Sequence, residues 1–176
     1  MSTALLLMDI QHGTTGRYGA TSDYFDRVVA AQAKAEDAGI PVILIRVGFN
    51  LGYPEVSERN KSFSAVKKGG SLVLGEKSTE VEPRLLRGKG ELVVTKKRIS
   101  SFAGSDLREV LRASNIDHLV LGGIATSGVV LSTVREAADL DFQLTVLSLD
   151  SPIDPRRGGE FGCALWSRGG PLCGIR

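Results

Sequence analysis

An acid and a base each follow a short apolar segment of the sequence. Asp9 comes directly after the apolar run Ala4–Met8, and Lys96 comes directly after Leu92–Thr95. Ligands of open α/β sheets bind where the strands end, so an acid and a base at two such ends predict a shared site. A carboxylate next to a buried strand is partly desolvated. Desolvation raises its pKa toward the range useful for proton transfer, whereas a facing lysine favours its charged form.

Both residues also have ordinary structural interpretations. Asp9 could begin a turn or cap a helix. Lysines are mostly solvated surface charges, and the neighbouring Lys97 and Arg98 favour that interpretation here. Successive side chains of a strand point to opposite faces, so only one of Lys96 and Lys97 can enter a site. The residues alone leave these alternatives open.

A glycine turn follows a third apolar run of strand length. Gly122 to Thr126 comes after His118–Leu121 and lacks the glycine spacing of dinucleotide-binding and phosphate-binding loops. Nucleotide binding is therefore not indicated. Backbone N–H groups at the start of a following helix can still stabilise a developing oxyanion. We expect His12 and His118 to be structural, because no acid-plus-serine arrangement surrounds them.

Apolar runs alternate with helical patterns, which predicts βαβ units and a mainly parallel sheet. We predict strands at residues 4–8, 41–47, 92–95, 118–122 and 142–149. Predicted helices begin near Thr21, after Ser105 and at Thr126, and a weak helical pattern lies near residues 63–66. The remainder of segment 49–80 is long for a structureless loop, so we expect this segment to shape a pocket or an interface.

The bulk composition describes an ordinary globular protein of one domain. The 176 residues can bury a core of their own, and the net charge of +2 gives no preference for nucleic acid or anionic membranes. We find neither an apolar run of ~18 residues that could span a membrane nor the basic start of a secretory signal. We therefore expect a cytoplasmic protein. Cys163 and Cys173 predict neither a zinc site nor a disulfide framework.

The composition changes abruptly after Asp154. Residues 155–176 are rich in glycine and arginine and contain both cysteines and the only tryptophan, without a helical or strand pattern. We therefore divide the chain into a domain over residues 1–154 and an atypical, irregular tail over residues 155–176. Our hypothesis is that a frameshift or a truncation produced the tail. It fails if neither of the gene's other reading frames encodes a helix and a strand there.

Three motifs in this order resemble those of the isochorismatase-like, or cysteine hydrolase, family, which shows D-x-Q, K-x5-F and G-x-A-T-x-x-C-V. The corresponding segments are Asp9-Ile-Gln11, Lys96 to Phe102, and Gly123-Ile-Ala-Thr126-Ser-Gly-Val129-Val130. The resemblance covers about residues 3–154. It implies a Rossmann-like three-layer α/β/α sandwich with a mainly parallel sheet. It also implies an Asp–Lys–Cys triad that hydrolyses small amides or related C–N compounds, and association into homo-oligomers.

The resemblance also implies roles for single positions. Asp9 would transfer the proton, and Lys96 rather than Lys97 would be its partner. The cysteine position, however, is Val129, which has no nucleophilic atom. Ser127 is one or two places out of register for that role and would face elsewhere on the helix.

Further positions follow from the same motifs. The family's cis peptide and oxyanion-binding region would comprise Ile124, Ala125 and Thr126. The substrate pocket would be formed by segment 49–80 together with Gln11, Phe102, Ser127 and Gly128. No histidine falls in residues 40–80, so the metal site of some family members is not expected, and no cofactor is implied.

Two functions remain open on this basis. The first is a hydrolase that uses Asp9 and Lys96 without a cysteine nucleophile, acting on a small amide, a related C–N compound or a vinyl ether. The second is a catalytically inactive binding or assembly protein of the same fold, which the loss of the cysteine at Val129 favours. Turnover that depends on Asp9 distinguishes the two.

Overall fold

The computed structural model describes residues 2–88 and 91–149. The elements in chain order are β1 (Thr3–Met8), α1 (His12–Tyr18), α2 (Ser22–Asp37), β2 (Val42–Val47), α3 (Lys61–Lys68), β3 (Leu92–Lys96), α4 (Leu107–Ala113), β4 (His118–Gly123), α5 (Leu131–Asp139) and β5 (Gln143–Val146). Two short 3-10 turns, Lys77–Thr79 and Pro83–Leu85, precede β3, and a π-helical turn, Thr126–Val130, leads into α5. The tail over residues 155–176 lies outside the described residues.

The five described strands form one parallel sheet in the order β3-β2-β1-β4-β5. All four pairings are parallel, which confirms the predicted sheet. At the carboxyl edge, Met8 of β1 is level with Ile45 of β2 and Gly123 of β4, and Val47 of β2 is level with Lys96 of β3. The residues that follow β1, β3 and β4 therefore meet at one edge of the sheet.

Helices cover both faces of the sheet, because alternate residues of each strand point to opposite sides. On one face Leu6 and Met8 of β1 pack in a cluster with Leu107 and Leu111 of α4. On the other face Leu5 and Leu7 belong to a cluster that contains residues of α2. This arrangement is the predicted three-layer α/β/α sandwich.

Two helices, α2 and α3, form where the sequence predicts helical structure. The Thr21 hydroxyl caps α2 by accepting a hydrogen bond from the Tyr24 N–H at 3.3 Å. The weak pattern near residues 63–66 becomes α3, whose cap is the Asn60 side chain. Helix α1, in contrast, was not predicted. The fifth strand is also shorter than expected, since its ladder ends at Val146, although the Leu147 N–H still bonds the Leu121 carbonyl at 2.9 Å.

Segment 49–80 has a small apolar core of its own. Phe49 is fully buried, and its ring packs against the rings of Tyr53 and Phe63 at centroid distances of 5.8 and 5.2 Å. Leu72 and Val73 complete the cluster and pack it against the end of β2. The segment is therefore a fixed wall beside the carboxyl edge of the sheet. No helix in the described part of the chain has the length and apolarity that crossing a membrane requires.

Candidate active site

Asp9 and Lys96 form a buried ion pair at the carboxyl edge of the sheet. The Lys96 Nζ lies 2.9 Å from Asp9 Oδ2, and the two residues are only 1% and 7% exposed. Lys96 Nζ also donates to the carbonyls of Arg98 and Ile99, both at 2.9 Å. An ammonium group has three protons, so these three acceptors fix its position completely.

The strand pleat decides which lysine enters the site. Lys97, the next residue, points away from Asp9 and binds the Gly48 carbonyl at 2.7 Å and Glu55 Oε1 at 3.1 Å. Its ammonium group also lies 5.9 Å from the centre of the Phe49 ring. Lys97 thus secures the wall formed by segment 49–80, whereas Lys96 faces the acid.

The backbone at Asp9 turns the chain sharply at the end of β1. Its φ of 57° lies in the left-handed region, which aspartate tolerates better than most residues. The Asp9 N–H donates to the Ile45 carbonyl at 2.8 Å, which keeps the turn attached to β2. The carboxylate is therefore held by backbone and side-chain bonds alike.

The environment of Asp9 prepares one oxygen for proton transfer. Burial is the largest influence and raises the pKa of the Asp9 carboxyl, while the nearby Lys96 charge and its hydrogen bond act in the opposite direction; the net direction is upward. Oδ2 is paired with Lys96, but Oδ1 is buried without a hydrogen-bond partner in the structure. Oδ1 is thus the atom available to accept a proton or a donor from a ligand.

A cavity of about 240 Å³ opens over this pair. Its lining combines the ion pair with α1, α3, the wall of segment 49–80 and the turn after β4. The contributing residues of the two helices and the turn are Gly13, Thr14, Arg17, Tyr18, Ser62, Phe63, Ala65, Val66, Ile124, Ala125, Ser127, Gly128 and Val129. A cavity of this size takes a small molecule.

The turn after β4 approaches β1 very closely. A Cβ at Gly123 would collide with the Met8 carbonyl oxygen and lie 2.8 Å from the Met8 Cβ, so only glycine fits. The Ile124 N–H donates to the same Met8 carbonyl at 3.0 Å, and the Ile124–Ala125 peptide bond is cis. The first N–H groups of a helical segment have no partner within it, so the start of the π-helical turn presents donors beside the cavity.

Val129 lies where the motif predicts, whereas Ser127 lies closer to the cavity than its register on an α-helix predicts. Val129 lines the cavity and is 3% exposed, so an inert aliphatic side chain stands at the cysteine position. Ser127 and Gly128, both of which we expected in the substrate pocket, also line the cavity, so Ser127 does not face elsewhere as its register suggested. Its Oγ is buried and has no hydrogen-bond partner in the structure. The π-helical turn changes the residue spacing relative to an α-helix, which explains why register reasoning was wrong here.

Three further predicted positions lie outside the cavity lining. Gln11 is fully buried and acts as a clamp: its amide donates to the carbonyls of Val47 and Ser78 and accepts from the Val47 N–H. Phe102 stacks on Phe142 in the apolar cluster under α4. Thr126 is exposed at the start of the turn. Gln11 and Phe102 therefore support the site from behind and do not form the pocket.

The residues of α1 were missed by sequence reasoning. Thr14, Arg17 and Tyr18 line the cavity, yet the segment His12–Tyr18 contains two glycines and no apolar periodicity that predicts a helix.

The prediction that segment 49–80 shapes the pocket does agree with the cavity, since Phe63, Val66 and Leu72 line it.

The described residues contain no group of three or more His, Cys, Asp or Glu side chains that could hold a metal ion. The prediction that the protein needs no metal remains a prediction. His118 has a structural setting, with its ring nitrogens 3.0 Å from the hydroxyls of Thr3 and Thr145.

Comparisons with known proteins agree with this fold. The family model for the isochorismatase domain matches residues 3–148. The chain is 31% identical to the uncharacterized isochorismatase family protein YecD of Escherichia coli O157:H7, over 82% of this chain and 77% of that protein. It is 30% identical to the ureidoacrylate amidohydrolase RutB of Pantoea ananatis, over 82% of this chain and 67% of that protein.

Solved structures show the same fold. A putative isochorismatase hydrolase from Oleispira antarctica superposes with a TM-score of 0.66 at 25% identity, covering 85% of this chain and 75% of that one. N-carbamoylsarcosine amidase from Thermoplasma acidophilum superposes with a TM-score of 0.70 at 24% identity, covering 89% and 88%. The chain therefore belongs to the isochorismatase family of hydrolases.

Proposed function

We propose that this protein hydrolyses the C–N bond of a small amide or N-carbamoyl compound, with water as the attacking nucleophile. The observation that carries the proposal is the buried Asp9–Lys96 pair, whose Oδ1 has no partner, at a cavity in which Val129 stands at the position of the nucleophile. Relatives such as one that is 30% identical to this chain are named ureidoacrylate amidohydrolases. Their names favour a C–N bond, and not the bond of a vinyl ether, as the bond that is cleaved.

In the first step Asp9 acts as the general base. Its Oδ1 takes a proton from a water molecule in the cavity while the water oxygen bonds to the carbonyl carbon of the substrate. The Lys96 ammonium, 2.9 Å from Oδ2, favours the ionised carboxylate that this step needs. The carbonyl oxygen becomes an oxyanion, which the backbone N–H at Ala125, beside the cavity, stabilises.

In the second step the same carboxyl group acts as the general acid. The tetrahedral intermediate collapses, the C–N bond breaks, and the departing nitrogen takes the proton from Asp9. The carboxylate is regenerated, and the carboxylic or carbamic acid and the amine or ammonia leave. No covalent bond to the protein forms at any point, which is consistent with the aliphatic side chain of Val129.

Ser127 has the properties of a positioning residue for the attacking water. Its Oγ and Asp9 Oδ1 are both buried in the cavity wall, and neither has a hydrogen-bond partner in the structure. A hydroxyl both donates and accepts, so Ser127 can orient a water whose proton points at Asp9. Two buried unpaired polar atoms at one cavity indicate that a polar ligand completes the site.

The alternative of a catalytically inactive binding protein rests on Val129 alone among the described residues. Against it stands the ion pair, because desolvating two charges is costly and a site without chemistry has no need of it. We also propose a cytoplasmic location, from the composition, and a homo-oligomer, from the family resemblance. Light scattering on the purified full chain measures the oligomeric state, and a monomer would contradict the homo-oligomer.

The test measures the release of amine or ammonia from a panel of simple amides and N-carbamoyl compounds, and the release of pyruvate from isochorismate, the vinyl ether of the panel. The chain is compared with Asp9→Asn and with Asp139→Asn, a matched control because Asp139 is exposed at the end of α5. We expect Asp9→Asn to lose roughly 10²–10⁴-fold in kcat/KM and Asp139→Asn to keep it. If the folded chain turns over no member of the panel, the binding-protein function is supported and the hydrolase is rejected.

A further inference from the structure

The charges around the cavity do not balance. Among the described residues that line it, Asp9, Lys96 and Arg17 are charged. Asp9 and Lys96 neutralise each other at 2.9 Å. Arg17 is exposed at the cavity and makes no hydrogen bond or ion pair with the described residues. The cavity therefore carries one uncompensated positive charge, on the side formed by α1.

Helix α1 holds Arg17 in a defined place. The Thr15 hydroxyl donates to the Gln11 carbonyl at 3.1 Å, and the His12 N–H donates to the Glu80 carbonyl at 3.0 Å. Gly13 is in such close contact that a Cβ there would lie 2.8 Å from a methyl carbon of Leu72. These contacts fix the helix against the wall of segment 49–80, so the Arg17 side chain is presented at the cavity by a firmly attached backbone.

The ion pair and Arg17 divide the cavity into two parts with different chemistry. The inner part, at Asp9 and Ser127, offers unpaired polar atoms to a scissile group. The outer part is lined by the exposed Arg17 and the half-buried Tyr18, and it offers the Arg17 cation to a ligand. A guanidinium group matches a carboxylate with two parallel hydrogen bonds and keeps its charge at any physiological pH.

We propose that Arg17 binds an anionic group of the substrate, which makes the substrates small carboxylate-bearing amides or N-carbamoyl compounds. The carboxylate lies at the mouth, and the C–N bond that breaks lies at Asp9. This inference rests on the proposed function for the identity of the scissile bond, but the anion preference of the cavity stands on the charges alone. Arg17 is here a specificity residue and takes no part in the bond-breaking steps.

Arg17 also lies in the last turn of α1, where a cation favourably complements the helix dipole. A residue that only stabilised the helix in this way would affect charged and uncharged ligands equally. Arg112 provides the matched control, because it occupies the last turn of α4, is exposed and does not line the cavity. A substitution at Arg112 reproduces the loss of a helix-terminal cation without touching the site.

The experiment uses N-carbamoyl-β-alanine and its uncharged analogue propylurea with the chain, Arg17→Gln, Arg17→Lys and Arg112→Gln. We expect the chain to prefer the carboxylate compound in kcat/KM. In Arg17→Gln that preference should fall by about 10- to 100-fold, mainly through KM, because a hydrogen-bonded charge pair is lost. Arg17→Lys should recover part of the preference, and Arg112→Gln should retain it.

Calorimetric binding of the same two compounds separates this inference from the proposed function. Arg17-dependent binding of N-carbamoyl-β-alanine by a chain that turns over no member of the panel would reject the hydrolase and leave the anion site standing. Failure of the folded chain to bind N-carbamoyl-β-alanine more tightly than propylurea would reject the anion site. Turnover with equal preference for both compounds, or an equal loss for both in Arg17→Gln, would reject the anion site and leave the hydrolase standing.

Discussion

At the scale of single residues, the site depends on a difference in bonding between the two carboxylate oxygens of Asp9. Oδ2 is held by Lys96, and Oδ1 is left unpaired in a buried position. Lys96 in turn donates to two backbone carbonyls, which hold its ammonium group in place beside Asp9. The pair is neutral while Asp9 is ionised, and once Oδ1 has taken a proton the Lys96 charge is balanced by the oxyanion formed in the same step.

Ser127→Ala tests the water-positioning role. Losing one neutral hydrogen bond to the attacking water should lower kcat by about 5- to 10-fold and leave the fold intact, because the hydroxyl pairs with no protein group in the structure. Steady-state kinetics with the best substrate of the panel measures this. Ser132→Ala, half-buried in α5 and away from the cavity, is the control. A complete loss of turnover in folded Ser127→Ala would contradict a role limited to positioning the water.

Sequence reasoning found the ion pair but assigned two supporting residues to the wrong role. Asp9 and Lys96 could be predicted because each follows a buried strand, where side-chain type and strand alternation fix the geometry. Gln11 and Phe102 carry similar motif signals, yet they point into the protein, where one clamps β2 and the other stacks on Phe142. A motif does not reveal on which side of the backbone its residues lie once the strand has ended.

At the scale of elements, α1 connects the strand ends to the cavity mouth. Its sequence has low helix propensity, with Gly13 and Gly16 and two adjacent threonines, so its formation depends on tertiary contacts. Those contacts are the Thr15 side-chain bond and the close approach of Gly13 to Leu72. This is why α1, and with it Arg17, could not be predicted from a local pattern.

Gln11→Ala should destabilise the protein and loosen α1 together. The Gln11 side chain pairs with the N–H and carbonyl of Val47 at 2.8 and 3.0 Å and with the Ser78 carbonyl at 3.1 Å. Each buried group left unpaired costs about 1–3 kcal/mol, so we expect a clear loss in the free energy of unfolding by urea, with a higher KM.

The control for Gln11→Ala is Gln143→Ala, since Gln143 is exposed at the start of β5. Its free energy of unfolding should stay within about 0.5 kcal/mol of that of the unchanged chain. An unaltered stability and KM in Gln11→Ala would contradict the clamp.

At the scale of the whole molecule, the apolar residues that stabilise the fold and the residues of the candidate site lie on different parts of the sheet. The two apolar layers lie above and below the strands, whereas the ion pair, the turn and the cavity lie at the carboxyl edge. The layers could be predicted because continuous apolar strands need cover on both faces. The end of β5 could not, because Leu147 keeps a single bond to β4 while the regular ladder has already stopped.

Leu111→Ala should reduce stability without changing catalysis. Leu111 is a fully buried residue of α4, so its truncation should cost about 2–5 kcal/mol in the free energy of unfolding. Leu51→Ala is the control, because Leu51 is 86% exposed and its loss should be near zero. At a temperature where both variants are folded, kcat/KM should match that of the unchanged chain. A selective loss of kcat/KM in folded Leu111→Ala would show that the core and the site are coupled.

The measurement that tests the central claim most directly is the pH dependence of kcat/KM for the chain, Lys96→Gln and Lys97→Gln. The base form of Asp9 is required, so the rate should fall as pH drops through its pKa, which burial raises above the ordinary value of 3.8. Lys96 lowers that pKa, so its removal should move the acidic limb to higher pH. Lys97 pairs with Glu55, so its removal should leave the limb in place. Two results would contradict the assignment of Asp9 as the base. One is a kcat/KM of the unchanged chain that does not fall as the pH is lowered to 3.8. The other is an acidic limb that does not move to higher pH in folded Lys96→Gln.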